Sequence, residues 1–242
     1  VDAFCKDTLM MIPYVNGEPL MYKGIYQAID YTSHKGTLSL IASNGILLNE
    51  NNSKKLIEAK LDFLKVHISG YTNKIHQIQH RKGDVDLILK NLERFMILKK
   101  KYKSNVLVML DYILYEHNKH ELNLAKKFSL DNKIMFNIRP GNPKNMEETE
   151  GKQRDVFFDK KKPCDWPWKA LTINNNRDIC PCCEFSIWSK PSPYGKINED
   201  TNLENLWSGE DVKKFRDNHL KNGRTQIDIC QNCDRQGIGF KF

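Results

Sequence analysis

The chain has 242 residues, which is enough for one large domain or two. Hydrophobic residues make up 40% of it and charged residues 28%, as is typical of a globular protein, and no apolar run approaches the ~20 residues of a membrane-spanning helix. The formal net charge of +8 comes from dispersed lysines without a nucleic-acid-binding motif, so we expect neither a membrane nor a nucleic acid as a partner.

Strands and helices alternate through the first part of the chain. Runs that are apolar or rich in β-branched residues, and that end in turn signals, predict strands at residues 11–15, 37–42, 63–68, 105–114 and 133–138. Helical patterns cover residues 22–35, 54–60, 84–101 and 120–128. This alternation predicts parallel strands with right-handed crossovers, as in a doubly wound sheet or part of a (β/α) barrel.

A polar residue lies near the carboxyl end of each predicted strand. These residues are Glu18, Asn44, Ser69, Asn118 and Arg139. In folds of this kind ligands bind at the carboxyl ends of the strands, so we expect the five residues to face one site.

Six of the seven cysteines lie between positions 164 and 233, and only Cys5 lies upstream. Thiolates gathered in this way bind a metal ion or an iron–sulfur cluster, or they form disulfides. No secretory signal is visible, so we expect a cytoplasmic protein and regard disulfides as the weakest of the three alternatives. Between the cysteines, residues 171–179 predict a hairpin and residues 203–220 a helix.

The order of motifs around these cysteines is specific. Cys164-Asp165-Trp166-Pro167-Trp168 comes first, Pro181-Cys182-Cys183 follows the hairpin, and Cys230-Gln231-Asn232-Cys233 closes the pattern. Over about residues 163–234 this resembles the C-terminal auxiliary-cluster domain of radical S-adenosylmethionine (SAM) enzymes, in its short twitch form, which is similar to half of the longer SPASM form. The resemblance implies one 4Fe-4S cluster held by Cys164, Cys182, Cys230 and Cys233, with Cys183 as the rival of Cys182. Arg177 stands where the family usually has glycine in the hairpin turn.

The first part of the chain is similar to the same family. Gly17-Glu18-Pro19-Leu20, Asn44-Gly45-Ile46-Leu47-Leu48 and Ile68-Ser69-Gly70 resemble segments that follow successive strands of the radical SAM core. The resemblance implies a partial (β/α)6 TIM-like barrel, of which five strands are seen, followed by a small α+β cluster-binding domain. It also implies that SAM is bound by Asn16, Gly17, Glu18, Pro19, Asn44, Ser69 and Arg139.

The chain also departs from the family in a more serious way: it contains no Cys-x3-Cys-x2-Cys motif, which in the family holds the cluster that reduces SAM. We expect that an N-terminal segment with this motif, a second 4Fe-4S cluster and the first strand is absent from the sequence, although a degenerate member is the alternative. The chain as given is then incomplete for catalysis. We divide it into a radical SAM core at residues 1–140, a linker at 141–162 and the auxiliary cluster domain at 163–242.

The function that the resemblance implies is a radical SAM oxidoreductase. A 5′-deoxyadenosyl radical abstracts hydrogen from a small polar substrate, an alcohol or amino sugar, and the auxiliary cluster accepts an electron. A flavodoxin- or ferredoxin-like protein is the expected reductant. A radical SAM peptide-modifying enzyme and a non-catalytic zinc-binding module are the alternatives.

Other polar residues remain unassigned. His67 is more typical of strand structure than of a ligand, and the pair His76 and His80 lacks a third metal ligand nearby, so we predict loop structure there. One of a group near the fourth strand's end could be a general acid or base, but nothing selects among its members, which are Tyr112, Glu116, His117 and His120.

Overall fold

We describe the chain from a computed structural model, which covers Cys5, residues 8–141, 161–187 and 192–231, and Cys233. The chain divides into two compact units, Val1–Gln153 and Arg154–Phe242. Nearly all of the predicted linker, residues 142–160, lies outside the described residues.

The first unit is an α/β fold around five parallel strands, which confirms the predicted fold class. The strands are β1 (Met10–Met11), β2 (Leu38–Ser43), β3 (Phe63–Ile68), β4 (Leu107–Leu114) and β5 (Met135–Pro140), and they lie side by side in chain order. The helices are α1 (Ile25–His34), α2 (Glu50–Glu58), α3 (Asn73–His76), α4 (Val85–Lys101) and α5 (Leu122–Asp131). Short 3-10 helices span Pro19–Met21 and Glu116–Glu121.

The sheet has one apolar face and one polar face, and alternation along β3 shows this directly. Leu64, Val66 and Ile68 are buried in the main core, whereas Lys65 and His67 between them are only half-buried. Successive side chains of a strand point to opposite faces, so the helices cover the first set and the second lines the other face. That other face is where polar groups from neighbouring strands meet.

Helix α4 supplies the largest apolar stripe against the sheet. Its buried residues recur at the three- and four-residue spacing of an amphipathic helix and include Val85, Ile88, Leu92 and Phe95. The Asp84 carboxylate caps the helix by accepting a hydrogen bond from the backbone N–H of Leu87.

Two predicted elements of the first unit need correction. The strand predicted at 11–15 is only Met10–Met11, because Pro13 lacks a backbone N–H and the chain leaves the sheet there. His76 ends the short helix α3, which we had predicted as a loop.

The second unit is small and mixed. Its helices are α6 (Trp166–Lys169), α7 (Cys183–Ile187), α8 (Leu203–Trp207), α9 (Glu210–Asn222) and α10 (Asp228–Gln231), and strands β6 (Thr172–Ile173) and β7 (Ile179–Cys180) form the predicted antiparallel hairpin. The single helix predicted at 203–220 is wrong, because Gly209 adopts an extended conformation and caps a new helix, α9. Arg177 in the hairpin turn has φ 71°, a left-handed conformation that glycine adopts more readily than arginine.

Within the described ranges, no helix combines the length and apolar character that a membrane span requires.

Candidate functional site

The loop after β1 is fixed to the end of β2 by one carboxylate. Glu18 Oε1 accepts hydrogen bonds from Ser43 Oγ at 2.8 Å and from the backbone N–H of Leu20 at 3.2 Å, and Oε2 accepts from the backbone N–H of Asn44 at 2.8 Å. All three donors belong to the turn or to the end of β2, so the Glu18 side chain braces the turn. Pro19 begins the 3-10 helix immediately afterwards and is buried.

The backbone beside Glu18 is open. Asn16 and Gly17 are exposed, and a Cβ built on Gly17 would meet nothing within 4 Å. Gly17 has φ 84°, which few other residues adopt without strain. A ligand can therefore approach the main chain here without a side chain in the way. Asn44 is also exposed, and its side chain closes a local turn by accepting from the N–H of Ile46.

Ser69 does not open in the same way. It is fully buried, its hydroxyl lies 2.9 Å from His80 Nε2, and its N–H donates to His76 Nδ1. The expectation that Ser69 faces the site openly, like Asn44, is wrong, because two histidines of the following segment cover it. The His76 and His80 rings stack at 4.5 Å, and their nitrogens bind Ser69 rather than forming the metal pair that we had weighed.

Asn118 is likewise structural. It is fully buried, and its side-chain amide donates to the carbonyls of Ser69 and Ile113 while accepting from the N–H of Tyr115. Of the five strand-end residues, Asn118 and Ser69 therefore tie segments together and do not face a ligand.

The polar face of the sheet centres on Asp111 of β4. Its register places it between His67 of β3 and Asn137 of β5. The Asp111 carboxylate accepts hydrogen bonds from His67 Nδ1 at 2.9 Å, from Asn137 Nδ2 and from Arg139 Nε. One buried carboxylate thus holds donors from the strands on both sides, and it fixes the side chain of the predicted site residue Arg139.

The charges in this group follow from burial and neighbours. Burial by itself raises the pKa of Asp111, but the His67 hydrogen bond and the charges of Lys65 and Arg139 outweigh it, so its pKa is lowered and the carboxylate is ionised. Burial is also the largest influence on His67, whose pKa is lowered. A neutral His67 donates Nδ1–H to Asp111 and presents Nε2 as an acceptor.

The second unit contains a pocket that gathers five of the six clustered cysteines. Cys164, Cys182, Cys183, Cys230 and Cys233 line it together with apolar and aromatic side chains. Cys180 is absent from its lining and directs its thiol towards the Asp178 carbonyl. All seven cysteines lie in the described part of the chain, and none is joined to another by a disulfide.

The thiols in the pocket are close enough to influence one another. Burial raises the pKa of Cys230 to about 12, with Cys233 and Cys164 adding to the effect. Burial likewise raises the pKa of Cys182 to about 12, with smaller contributions from Cys183 and Cys230. Buried thiols that repel one another's negative charge need a cation to become thiolates, and bound iron supplies it.

The donor set fits an iron–sulfur cluster. Five cysteines, more than the four soft sulfur ligands that a cluster needs, line a pocket whose other walls include Trp166, Phe185 and Phe215. Among the described residues, no three His, Cys, Asp or Glu side chains are arranged to hold a metal ion. The four thiolates of a 4Fe-4S cluster bind four different irons and do not surround one metal ion. Such a cluster therefore requires cysteines that share a pocket, and not three side chains that meet at one point.

Comparisons with known proteins agree with this geometry. Residues 164–234 match the SPASM family, an iron-sulfur cluster-binding domain. Fe-coproporphyrin III synthase of Methanosarcina barkeri (strain Fusaro / DSM 804) is 30% identical over 82 residues, which are 34% of this chain and 21% of that protein.

Solved structures show the same fold. Streptococcus suis SuiB bound to precursor peptide SuiA is similar over 93% of this chain and 60% of its own, with a TM-score of 0.63 and 13% identity. BtrN in complex with AdoMet and 2-DOIA is similar over 93% of this chain and 72% of its own, with a TM-score of 0.53 and 15% identity. The chain thus spans about a fifth of the synthase and 60% of SuiB.

Sequence reasoning overlooked the residue at the centre of the polar sheet face in the first unit. Asp111 was not singled out, and His67 was assigned to strand structure. One signal was available: Lys65, His67 and Ser69 alternate with apolar residues along a predicted strand, which indicates a polar sheet face. Asp111 had no such signal, because its significance depends on the register between strands.

Proposed function

We propose that the protein is a radical SAM oxidoreductase whose SPASM domain holds one auxiliary 4Fe-4S cluster through Cys164, Cys182, Cys230 and Cys233. The observation that carries this proposal is the convergence of these four cysteines on one pocket within the matched domain. They come from three separate stretches of the domain, since Cys230 and Cys233 share one turn. The backbone groups of Phe185 and Glu184 act to lower the pKa of Cys182, against the larger effect of burial.

SAM is the second cofactor in this proposal. The open backbone at Asn16 and Gly17 is positioned to bind its polar groups, and Glu18 and Pro19 hold that backbone in place. Asn44 lies beside this loop and Arg139 on the polar sheet face, while Ser69 would act through the histidines that cover it. If a further 4Fe-4S cluster, for which this chain has no Cys-x3-Cys-x2-Cys motif, supplied one electron, bound SAM would yield methionine and a 5′-deoxyadenosyl radical that removes a substrate hydrogen atom. The auxiliary cluster would accept the electron left on the substrate.

A small polar substrate, such as an alcohol or amino sugar, suits the polar face around Asp111. Oxidation of an alcohol releases a proton as well as electrons, so it needs a proton acceptor. His67 can fill this role, because its Nδ1 is bonded to Asp111 and its Nε2 has no hydrogen bond within the described part of the chain. A flavodoxin- or ferredoxin-like reductant and a cytoplasmic location are further parts of the proposal.

Iron analysis tests the cluster assignment. The chain Val1–Phe242, reconstituted anaerobically with iron and sulfide, should turn brown and bind about four irons and four sulfides. Cys164→Ser, Cys230→Ser and Cys233→Ser should each lose most of the iron. Cys180→Ser is the matched control and should keep it, because Cys180 is not among the residues that line the pocket.

The ligand from the Cys182–Cys183 pair is tested in the same way. Cys182→Ser should lose the cluster, and Cys183→Ser should retain it. The reverse result would reassign that ligand. A colourless protein that binds zinc and no iron would refute the cluster and favour the zinc-binding module.

A further inference from the structure

His219 lies against the proposed cluster pocket from helix α9. The side chain is 1% exposed and sits between the rings of Trp168, at 6.2 Å between centroids, and Phe215, at 5.1 Å. Its Nε2 lies 3.7 Å from the sulfur of Cys230. Its Nδ1 is buried and has no hydrogen-bond partner in the described part of the chain. The Cys230 sulfur is therefore the one polar contact found for this imidazole among the described residues.

The chemistry of the Cys230 sulfur makes that contact directional. A cysteine that binds iron does so as a thiolate, which accepts hydrogen bonds and donates none. The contact between Nε2 and Cys230 is then favourable only when the N–H is on Nε2.

We propose that His219 donates a hydrogen bond from Nε2 to the Cys230 sulfur and thereby raises the reduction potential of the auxiliary cluster. This inference rests on the proposed cluster ligands. One electron entering the cluster makes the ligand sulfurs more negative, with no bond broken and no proton moved. A donor at the sulfur stabilises the reduced form more than the oxidised form, and hydrogen bonds to sulfur are among the recognised controls of cluster potential. The consequence is a better acceptor for a substrate electron.

The test is the midpoint potential of the reconstituted chain Val1–Phe242, followed by EPR of the reduced cluster. His219→Phe keeps an aromatic ring and removes the donor. It should shift the equilibrium towards the oxidised cluster about tenfold, which lowers the midpoint by about 59 mV for a one-electron couple. His219→Gln, whose side-chain amide also donates, should recover most of this difference. Trp168→Phe disturbs the ring contact alone and should leave the potential unchanged.

A measurement on the unaltered chain guards against variants that fail to fold. With 15N-histidine labelling, pulsed EPR of the reduced cluster should detect one coupled histidine nitrogen, which His219→Gln removes. No coupled nitrogen, or an unshifted potential in His219→Phe, would overturn the role of His219 while leaving the cluster itself in place. Failure of the unaltered chain to bind a cluster would instead refute the proposed function.

Discussion

Replacing Asp111 with Asn should destabilise the first unit by about 3 kcal/mol. The ionised carboxylate accepts hydrogen bonds from three side chains, His67, Asn137 and Arg139, and is itself fully buried. An Asn side chain has one acceptor oxygen, and its NH2 group faces donors. Hydrogen bonds to a charged group contribute about 1.5–3 kcal/mol each. We discount the Arg139 contribution, because its side chain is 37% exposed and solvent screens the pair.

The tryptophans allow the two units to be followed separately. All four lie at positions 166–207, so tryptophan fluorescence reports on the second unit, whereas far-UV circular dichroism reports mainly on the larger first unit. With a urea m value of about 2 kcal/mol/M, Asp111→Asn should lower the circular dichroism midpoint by roughly 1.5 M. The fluorescence transition should stay in place. Asp131→Asn, at an exposed helix end, is the matched control and should change neither midpoint by more than a few tenths of a molar unit.

The pH dependence of the stability difference between the parent chain and Asp111→Asn provides a second test. The pKa of Asp111 is lowered in the folded chain, so its contribution is fully present above the pKa of an unfolded aspartate, about 3.9. It is lost only as the pH falls below that value. The difference in unfolding free energy between the parent chain and Asp111→Asn should therefore be at least as large at pH 5 as at pH 7, because loss of the carboxylate also makes protonation of the buried His67 less favourable. A difference that disappears by pH 5, or a variant as stable as the parent chain, would refute the reasoning about the carboxylate.

Three further predictions concern the first unit. His76 is buried and its pKa is lowered to about 4, so stability should be lost as the pH falls from about 6.5 towards 4. At pH 5 the loss in unfolding free energy should be about 2 kcal/mol. His76→Asn should reduce this dependence of stability on pH, as measured by urea titrations. Gly17→Ala should lower the free energy of unfolding by only about 1 kcal/mol, because the only penalty is left-handed backbone strain. Gly45→Ala should lower it further in the same titrations, because the new Cβ would lie 2.8 Å from Ile88 and 2.9 Å from Val66. With SAM and dithionite under anaerobic conditions, the chain Val1–Phe242 should form no 5′-deoxyadenosine, since it contains no Cys-x3-Cys-x2-Cys motif. Chromatographic detection of 5′-deoxyadenosine would contradict this prediction.

The sequence was sufficient wherever a local pattern determines the structure. β3 was predicted at its observed limits, because turn residues bound a short apolar run, and the hairpin of the second unit follows from β-branched residues around an Asn-rich turn. The break at Gly209 was missed because the apolar spacing continues across it, so periodicity alone gives no sign that the backbone becomes extended. Similarly, the short apolar run at 11–15 predicted a longer first strand than the structure has, since pairing of β1 with β2 ends at Met11.

The cysteine pocket could be predicted from the sequence, whereas the group of residues around Asp111 could not. The order and spacing of cysteines carry information about a shared ligand even without a structure, so four thiols were expected to converge. Asp111 becomes informative only when β3, β4 and β5 are aligned, because a shift of one residue would turn its side chain to the opposite sheet face. His219 depends on still longer-range packing, since α9 must place residue 219 against Cys230. The residues proposed to bind a cofactor directly could thus be named from the sequence, whereas the residues proposed to adjust its potential or to accept a proton required the three-dimensional arrangement.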